Sequence, residues 1–114
     1  MCGRTSLFAP RADLERRFGA TVVADGGYRP RYNVAPGAGL EVVTNDAPDG
    51  IDRYRWGLVP FWADDAGDGL INARSETADE KRAFARAWES RPCLVLSSGF
   101  YEWRRGNGGP KQPY

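Results

Sequence analysis

Residues 26–39 read GGYRPRYNVAPGAG, with four glycines and two prolines in fourteen positions. Glycine admits conformations closed to other residues, and proline fixes φ while removing a hydrogen-bond donor. The stretch therefore reads as a loop, punctuated by arginines and aromatics. DAPDG (46–50), VPFWADDAGDG (59–69) and RGNGG (105–109) break the pattern again. A chain interrupted this often is restricted to short elements. Its 114 residues suit one domain, or a piece of one.

Between the breaks the apolar spacing is informative. In PRADLERRF (10–18) Leu14 and Phe18 lie four apart and Gly19 follows, which predicts a short helix. LEVVTN (40–45) predicts a strand, and IDRYRWGL (51–58) alternates as a strand with an aromatic face. Thr77 and Glu80 form a capping-box pattern for a helix over 78–89, with Ala83, Phe84, Ala87 and Trp88 inward. PCLVLSSGFYEW (92–103) is the most strand-like segment. RGNGG then supplies a hairpin turn, and KQPY (111–114) begins a return strand. Trp56, Phe84 and Trp88 are expected in the core, with Cys93 as a buried apolar residue. The pattern is α+β and rich in strands.

Charge excludes little on its own. Sixteen basic and fifteen acidic residues leave a net +1, so any nucleic-acid binding requires a local patch. Apart from Lys81 and Lys111 the basic residues are all arginine. The absence of histidine removes Ser-His-Asp and Cys-His devices and most zinc sites. Two cysteines, Cys2 and Cys93, give neither a disulfide framework nor metal-thiolate spacing, which favours a reducing, intracellular compartment. No metal or cofactor is expected. No apolar run is long enough to span a bilayer, and no export signal is expected at the start.

Cys2 stands directly behind Met1, and Gly3 follows it. Removal of Met1 would give Cys2 a free α-amine beside its thiol. An α-amine has a pKa of about 8, so a useful fraction is neutral at physiological pH. Amine and β-thiol on one residue form a reagent for aldehydes: the amine makes a Schiff base and the thiol closes a thiazolidine ring. The same terminus also suits acyl transfer, with the thiol attacking an amide and the amine acting as base. On position alone, an incidental second residue is the favoured account of Cys2, and it is the rest of the chain that shifts the balance.

Five blocks occur in order: MCGR (1–4), RYNVAPG (31–37), WGLVPFW (56–62), INARSET (71–77) and GFYEW (99–103). Together they resemble the SOS-response-associated peptidase (SRAP) family of abasic-site processing proteins, across essentially the whole chain. The resemblance implies a β-rich domain of mainly antiparallel strands with short flanking helices, of which residues 1–114 are the N-terminal portion. It implies a protein that binds single-stranded DNA at an abasic site and couples Cys2 to the sugar aldehyde as a stable thiazolidine. Self-processing peptidase removal of Met1 and lyase-like chemistry belong to the same reading. It assigns Cys2 as nucleophile, Asn72 as a hydrogen-bonding group near terminus and sugar, and Glu102 as the carboxylate that moves protons. Arg4 and Arg74 would hold flanking phosphates, while Asn33, Pro36, Trp62 and Trp103 form the surface where the strand bends. The implied partner is single-stranded DNA carrying an abasic site, bound by a monomer in a cytoplasmic, nucleoid-associated setting, with no membrane.

Ordinary roles compete at each position. Glu102 fits an exposed strand face, Asn72 a turn, and Arg4 and Arg74 solvated or carboxylate-paired surface. Family members also use a histidine from their C-terminal half, and residues 1–114 contain none. Three other functions remain in view. One is a non-covalent single-strand-binding module using Arg4, Arg31, Arg74 and the tryptophans. Another is an inactive fragment. The least favoured is an N-terminal-nucleophile glutamine amidotransferase, whose usual His-Arg-Gly-Pro stretch is missing.

Overall fold

The computed structural model describes residues 2–65, 67, 69–106 and 108–114. The first strand, β1 (Thr5–Leu7), leads into helix α1 (Arg11–Phe18) and then β2 (Thr21–Val22), β3 (Arg31–Val34), β4 (Gly39–Thr44) and β5 (Gly50–Arg55). Helix α2 (Ala85–Ser90) precedes β6 (Cys93–Val95), β7 (Gly99–Phe100), β8 (Trp103–Arg104) and β9 (Gln112–Pro113). Three sheets result, in the orders β3-β1-β7, β2-β5-β4-β6 and β8-β9. All pairings are antiparallel except β2 with β5.

Helix α1 forms as its sequence dictates. The Pro10 carbonyl accepts from the Asp13 and Leu14 amides, and Gly19 closes the last turn onto the Glu15 carbonyl. Asp13 in the first turn and Arg16 and Arg17 in the last complement the helix dipole. Leu14 is buried against Leu7, Val22, Val43, Ile51 and Leu96, with Phe18 and Tyr28 packed at the margin. A fully buried leucine of this kind contributes about 2 kcal/mol. Glu15 Oε1 accepts from the Val22 amide at 2.9 Å, pinning α1 to β2. That bond, aided by Arg11, holds the Glu15 carboxyl below its usual pKa. Tyr28 Oη donates to the carbonyls of Ala9 at 2.7 Å and Leu7 at 3.2 Å, and burial raises the phenol.

Polar burial is concentrated at Glu41 on β4, which is 1% exposed. Its Oε2 accepts from Arg31 Nη2 at 2.6 Å and its Oε1 from Arg53 Nε at 2.9 Å. Arg53 thus clamps β5 to its neighbour β4, and Arg31 ties β3, from another sheet, to the same carboxylate. The clamp is incomplete in one respect: Arg31 Nε is buried with no hydrogen-bond partner among the described residues.

Several expectations need correction. Part of the 26–39 stretch is strand β3, because β1 supplies a pairing partner that local sequence does not reveal. The 78–89 helix shrinks to Ala85–Ser90. Before it, separate turns close where the Lys81 amide bonds the Thr77 carbonyl and the Ala85 amide bonds that of Lys81. Ala78 is pulled into the interior there while Arg82 reaches outward over Trp62, and such tertiary contacts override helix propensity. The 92–103 strand is divided among three sheets: Ser97 and Ser98 separate β6 from β7, and Trp103 belongs to β8. Ser97 Oγ meets Thr5 Oγ1 at 2.8 Å, and Ser98 Oγ accepts from the Phe8 amide at 3.0 Å. These hydroxyls compete with ladder hydrogen bonds and carry the chain from β4 over to β1.

Trp88 and Cys93 are exposed rather than buried, since α2 is short and β6 ends its sheet. Trp56 and Phe84 are partly buried. The expected return strand does pair, with Trp103 opposite Pro113 and Arg104 opposite Gln112. Within that hairpin turn Asn107 lies outside the described residues.

Candidate functional site

Cys2 lies three residues ahead of Thr5, the first residue of the central strand β1. Thr5 faces Val34 of β3 on one side and Phe100 of β7 on the other. The β7 pairing runs on past the strand, with the Tyr101 amide donating to the Arg4 carbonyl at 2.9 Å. Glu102 is the residue that follows this bond on one segment, and Gly3 the one that precedes it on the other. The Glu102 peptide is fixed on its other side by two bonds to Tyr114, of 2.9 and 3.1 Å. The Cys2 thiol is half-buried and directs its weak S–H toward the Arg4 carbonyl at 3.4 Å.

Arg4 organises this end of the sheet. Its Nη1 donates to Asn33 Oδ1 at 2.8 Å, and its guanidinium carbon lies 6.0 Å from the centre of a Trp103 ring. Tyr101 Oη donates to the Tyr32 carbonyl at 2.8 Å, tying the Glu102 segment to the strand that carries Asn33. Pro36 occupies the turn that follows. The Ala38 amide bonds the Ala35 carbonyl at 3.1 Å and Gly37 takes φ +84°, the geometry of a type II turn with proline then glycine at its centre. Bonds of 2.8 Å from Gly37 to Trp56 and from Trp56 to Ala38 anchor the turn on the end of β5.

Trp62, Asn72 and Arg74 form a second group. Leu58 and Leu70 exchange both backbone hydrogen bonds, at 3.0 and 2.9 Å, and Trp56 Nε1 donates to the Ile71 carbonyl at 2.9 Å. Gly69 makes this closure possible. It sits at φ +70°, and a Cβ there would stand 2.8 Å from the Gly57 carbonyl carbon. The closed loop delivers Trp62 to a cavity of about 440 Å³ shared with Asn72 and Arg74. Lys81 and Arg82 also line it, and among the described residues no carboxylate does.

Contacts therefore join Arg4 to Asn33, Trp103 and Cys2, while Trp62, Asn72 and Arg74 share the basic cavity. Among the described residues no hydrogen bond joins Asn72 to Cys2. Met1, whose removal the expected chemistry requires, lies outside the described residues. Phe61, Arg82 and Arg86 were not anticipated; the available signal was an aromatic pair at 61–62 and two arginines spaced by four. Among the described residues no group of three His, Cys, Asp or Glu side chains is placed to hold a metal ion. No described helix is long and apolar enough to cross a membrane.

A family model described as SOS response associated peptidase (SRAP) matches residues 1–114. The chain belongs to the SRAP family. Similar proteins include the abasic site processing protein YoqW of Bacillus subtilis, 38% identical over 117 residues that cover 99% of this chain and 52% of YoqW. The Escherichia coli abasic site processing protein YedK is 34% identical, with 100% of this chain and 52% of YedK covered. The Rattus norvegicus abasic site processing protein HMCES is 37% identical, with 100% and 40% covered. A crystal structure of a Bacteroides thetaiotaomicron protein superposes with a TM-score of 0.83 at 27% identity, covering 98% of this chain and 52% of that one. The SRAP chain described here thus spans about half the length of these bacterial relatives.

Proposed function

We propose that this SRAP chain processes abasic sites in single-stranded DNA by covalent capture on Cys2. The reading starts from hydrolysis of the Met1–Cys2 peptide bond, which frees the α-amine. The neutral amine adds to the aldehyde carbon of the opened abasic sugar, and the carbinolamine loses its hydroxyl as water to give an imine. The Cys2 sulfur then bonds to the imine carbon while its proton goes to nitrogen, closing the thiazolidine. One water leaves overall, with no redox change. Glu102 is the group assigned to protonate the departing hydroxyl and to accept a proton from the attacking amine.

The observation that carries the reading is the Tyr101–Arg4 backbone bond. It joins the residue before Glu102 to the residue two beyond Cys2, which supports assigning the carboxylate to the thiol's neighbourhood. Arg4 supplies a planar guanidinium suited to phosphate, and the basic cavity at Trp62, Asn72 and Arg74 offers the strand a second foothold. Aromatic rings stack on bases regardless of sequence, so such a surface reads the lesion and the single strand. The names of the SRAP relatives support the same substrate.

The test is a denaturing gel of the protein incubated with single-stranded DNA containing one abasic site. A heat-stable adduct that requires Cys2 and an unblocked α-amine is expected, and Cys2→Ala should abolish it. Glu102→Gln should slow capture more than it weakens binding. An adduct that survives Cys2→Ala, or that forms equally on intact DNA, would refute the mechanism. Binding without any adduct would support the passive single-strand module instead.

A further inference from the structure

Two cation-capped rings stand side by side on the 59–69 loop. The Arg82 guanidinium lies 4.9 Å from the centre of a Trp62 ring, and that of Arg86 lies 5.2 Å from the Phe61 ring. Phe61 and Trp62 are adjacent in sequence, and Arg82 and Arg86 are spaced by four. Both rings remain open, with Phe61 69% and Trp62 46% exposed. Core packing does not account for a phenylalanine this accessible. The guanidinium can occupy only one face of a ring, so the other is available for stacking, while the guanidinium edge keeps N–H donors for an anion. Trp62 and Arg82 border the basic cavity containing Asn72 and Arg74, and the Phe61–Arg86 pair lies next to them along the loop.

We infer that Phe61 and Arg86 form an additional nucleotide station, at which a base of single-stranded DNA stacks on Phe61 and the adjoining phosphate meets Arg86. The station extends the track from Trp62 and Arg82 by one nucleotide. It rests on the single-stranded DNA reading above but not on covalent capture. Stacking uses a π face common to all bases, so the station is indifferent to sequence.

The experiment measures fluorescence anisotropy of labelled intact single-stranded DNA, across a series of lengths and salt concentrations. Phe61→Ala should raise Kd about 5- to 30-fold on strands long enough to reach the station, without changing the salt slope. Phe61→Trp should retain full affinity. Arg86→Gln should lower the slope of log Kd against log salt by about 0.7, the loss of one phosphate contact to a single strand. Circular dichroism confirms that each variant is folded. Affinity changes below twofold in both Phe61→Ala and Arg86→Gln would overturn the inference, as would an equal effect of Phe61→Ala on duplex DNA. Capture of abasic DNA by Cys2 is read separately on the gel. A chain that captures normally but ignores Phe61 defeats the station alone. A chain that forms no adduct yet weakens with Phe61→Ala defeats only the covalent chemistry.

Discussion

Glu41→Gln isolates the charge of the buried clamp while keeping its shape. Glu41 is 1% exposed and its two partners are each about a third exposed. In the native clamp its oxygens accept from Arg31 Nη2 and Arg53 Nε, and Arg53 Nη2 lies 2.9 Å from Oε1 while donating to the Gly27 carbonyl. A glutamine retains one acceptor oxygen but turns an NH2 toward a guanidinium, setting donor against donor. Removing one member of a fully buried pair costs about 3–5 kcal/mol. The arginines here can regain some hydration through their exposed edges, which lowers the expected cost to about 2–3 kcal/mol. With urea m-values of about 1–3 kcal/mol/M for small proteins, the unfolding midpoint should fall by roughly 1–2 M. Equilibrium urea titration followed by tryptophan fluorescence and far-UV circular dichroism supplies the measurement. A midpoint within about 0.3 M of the parent, at unchanged m, would show that the ion cluster adds nothing beyond shape.

Ile51→Ala empties a site that is 0% exposed and should cost about 3–4 kcal/mol in the same titration. Gly69→Ala should cost about 2 kcal/mol or more, from φ +70° and the clash with Gly57, and should slow capture by displacing Trp62 and Asn72. Glu15 titrates below its usual range in the fold. Its stabilising contribution is therefore full above the unfolded carboxyl pKa and lost as pH falls through the lower folded value. Glu15→Gln should remove that part of the acid dependence, visible as a flatter profile of Tm against pH below about 4.5.

Local signals were legible wherever the determining residues are neighbours. Leu14, Phe18 and Gly19 specify α1 within one short segment, LEVVTN marks β4 by composition, and alternation marks β5. The residues of the proposed site stand in the motifs MCGR, INARSET and GFYEW, whose roles come from the family resemblance and not from residue type alone. Strand β3 was hidden, since its extended state is set by pairing with β1 and not by its glycine-rich surroundings. The break between β6 and β7 was hidden for a related reason: Ser97 and Ser98 look compatible with a strand until Thr5 and Phe8 arrive to bond them. Trp88 and Cys93 looked interior because apolar character cannot say on which side of a sheet or helix a neighbour is present. The arginine-capped rings at 61–62 needed two segments twenty residues apart to meet.

The place of β1 between β3 and β7 has a consequence for biogenesis. Residue 5 gains its second neighbour only when residue 100 has been made, a closure between sequence-distant segments of the kind that slows folding. As the chain leaves the ribosome, β1 can meet β3 early but keeps an open edge toward β7 until residue 100 has emerged. The segment behind Cys2 thus gains its second neighbour late in the making of residues 1–114, when the Tyr101–Arg4 bond can first form.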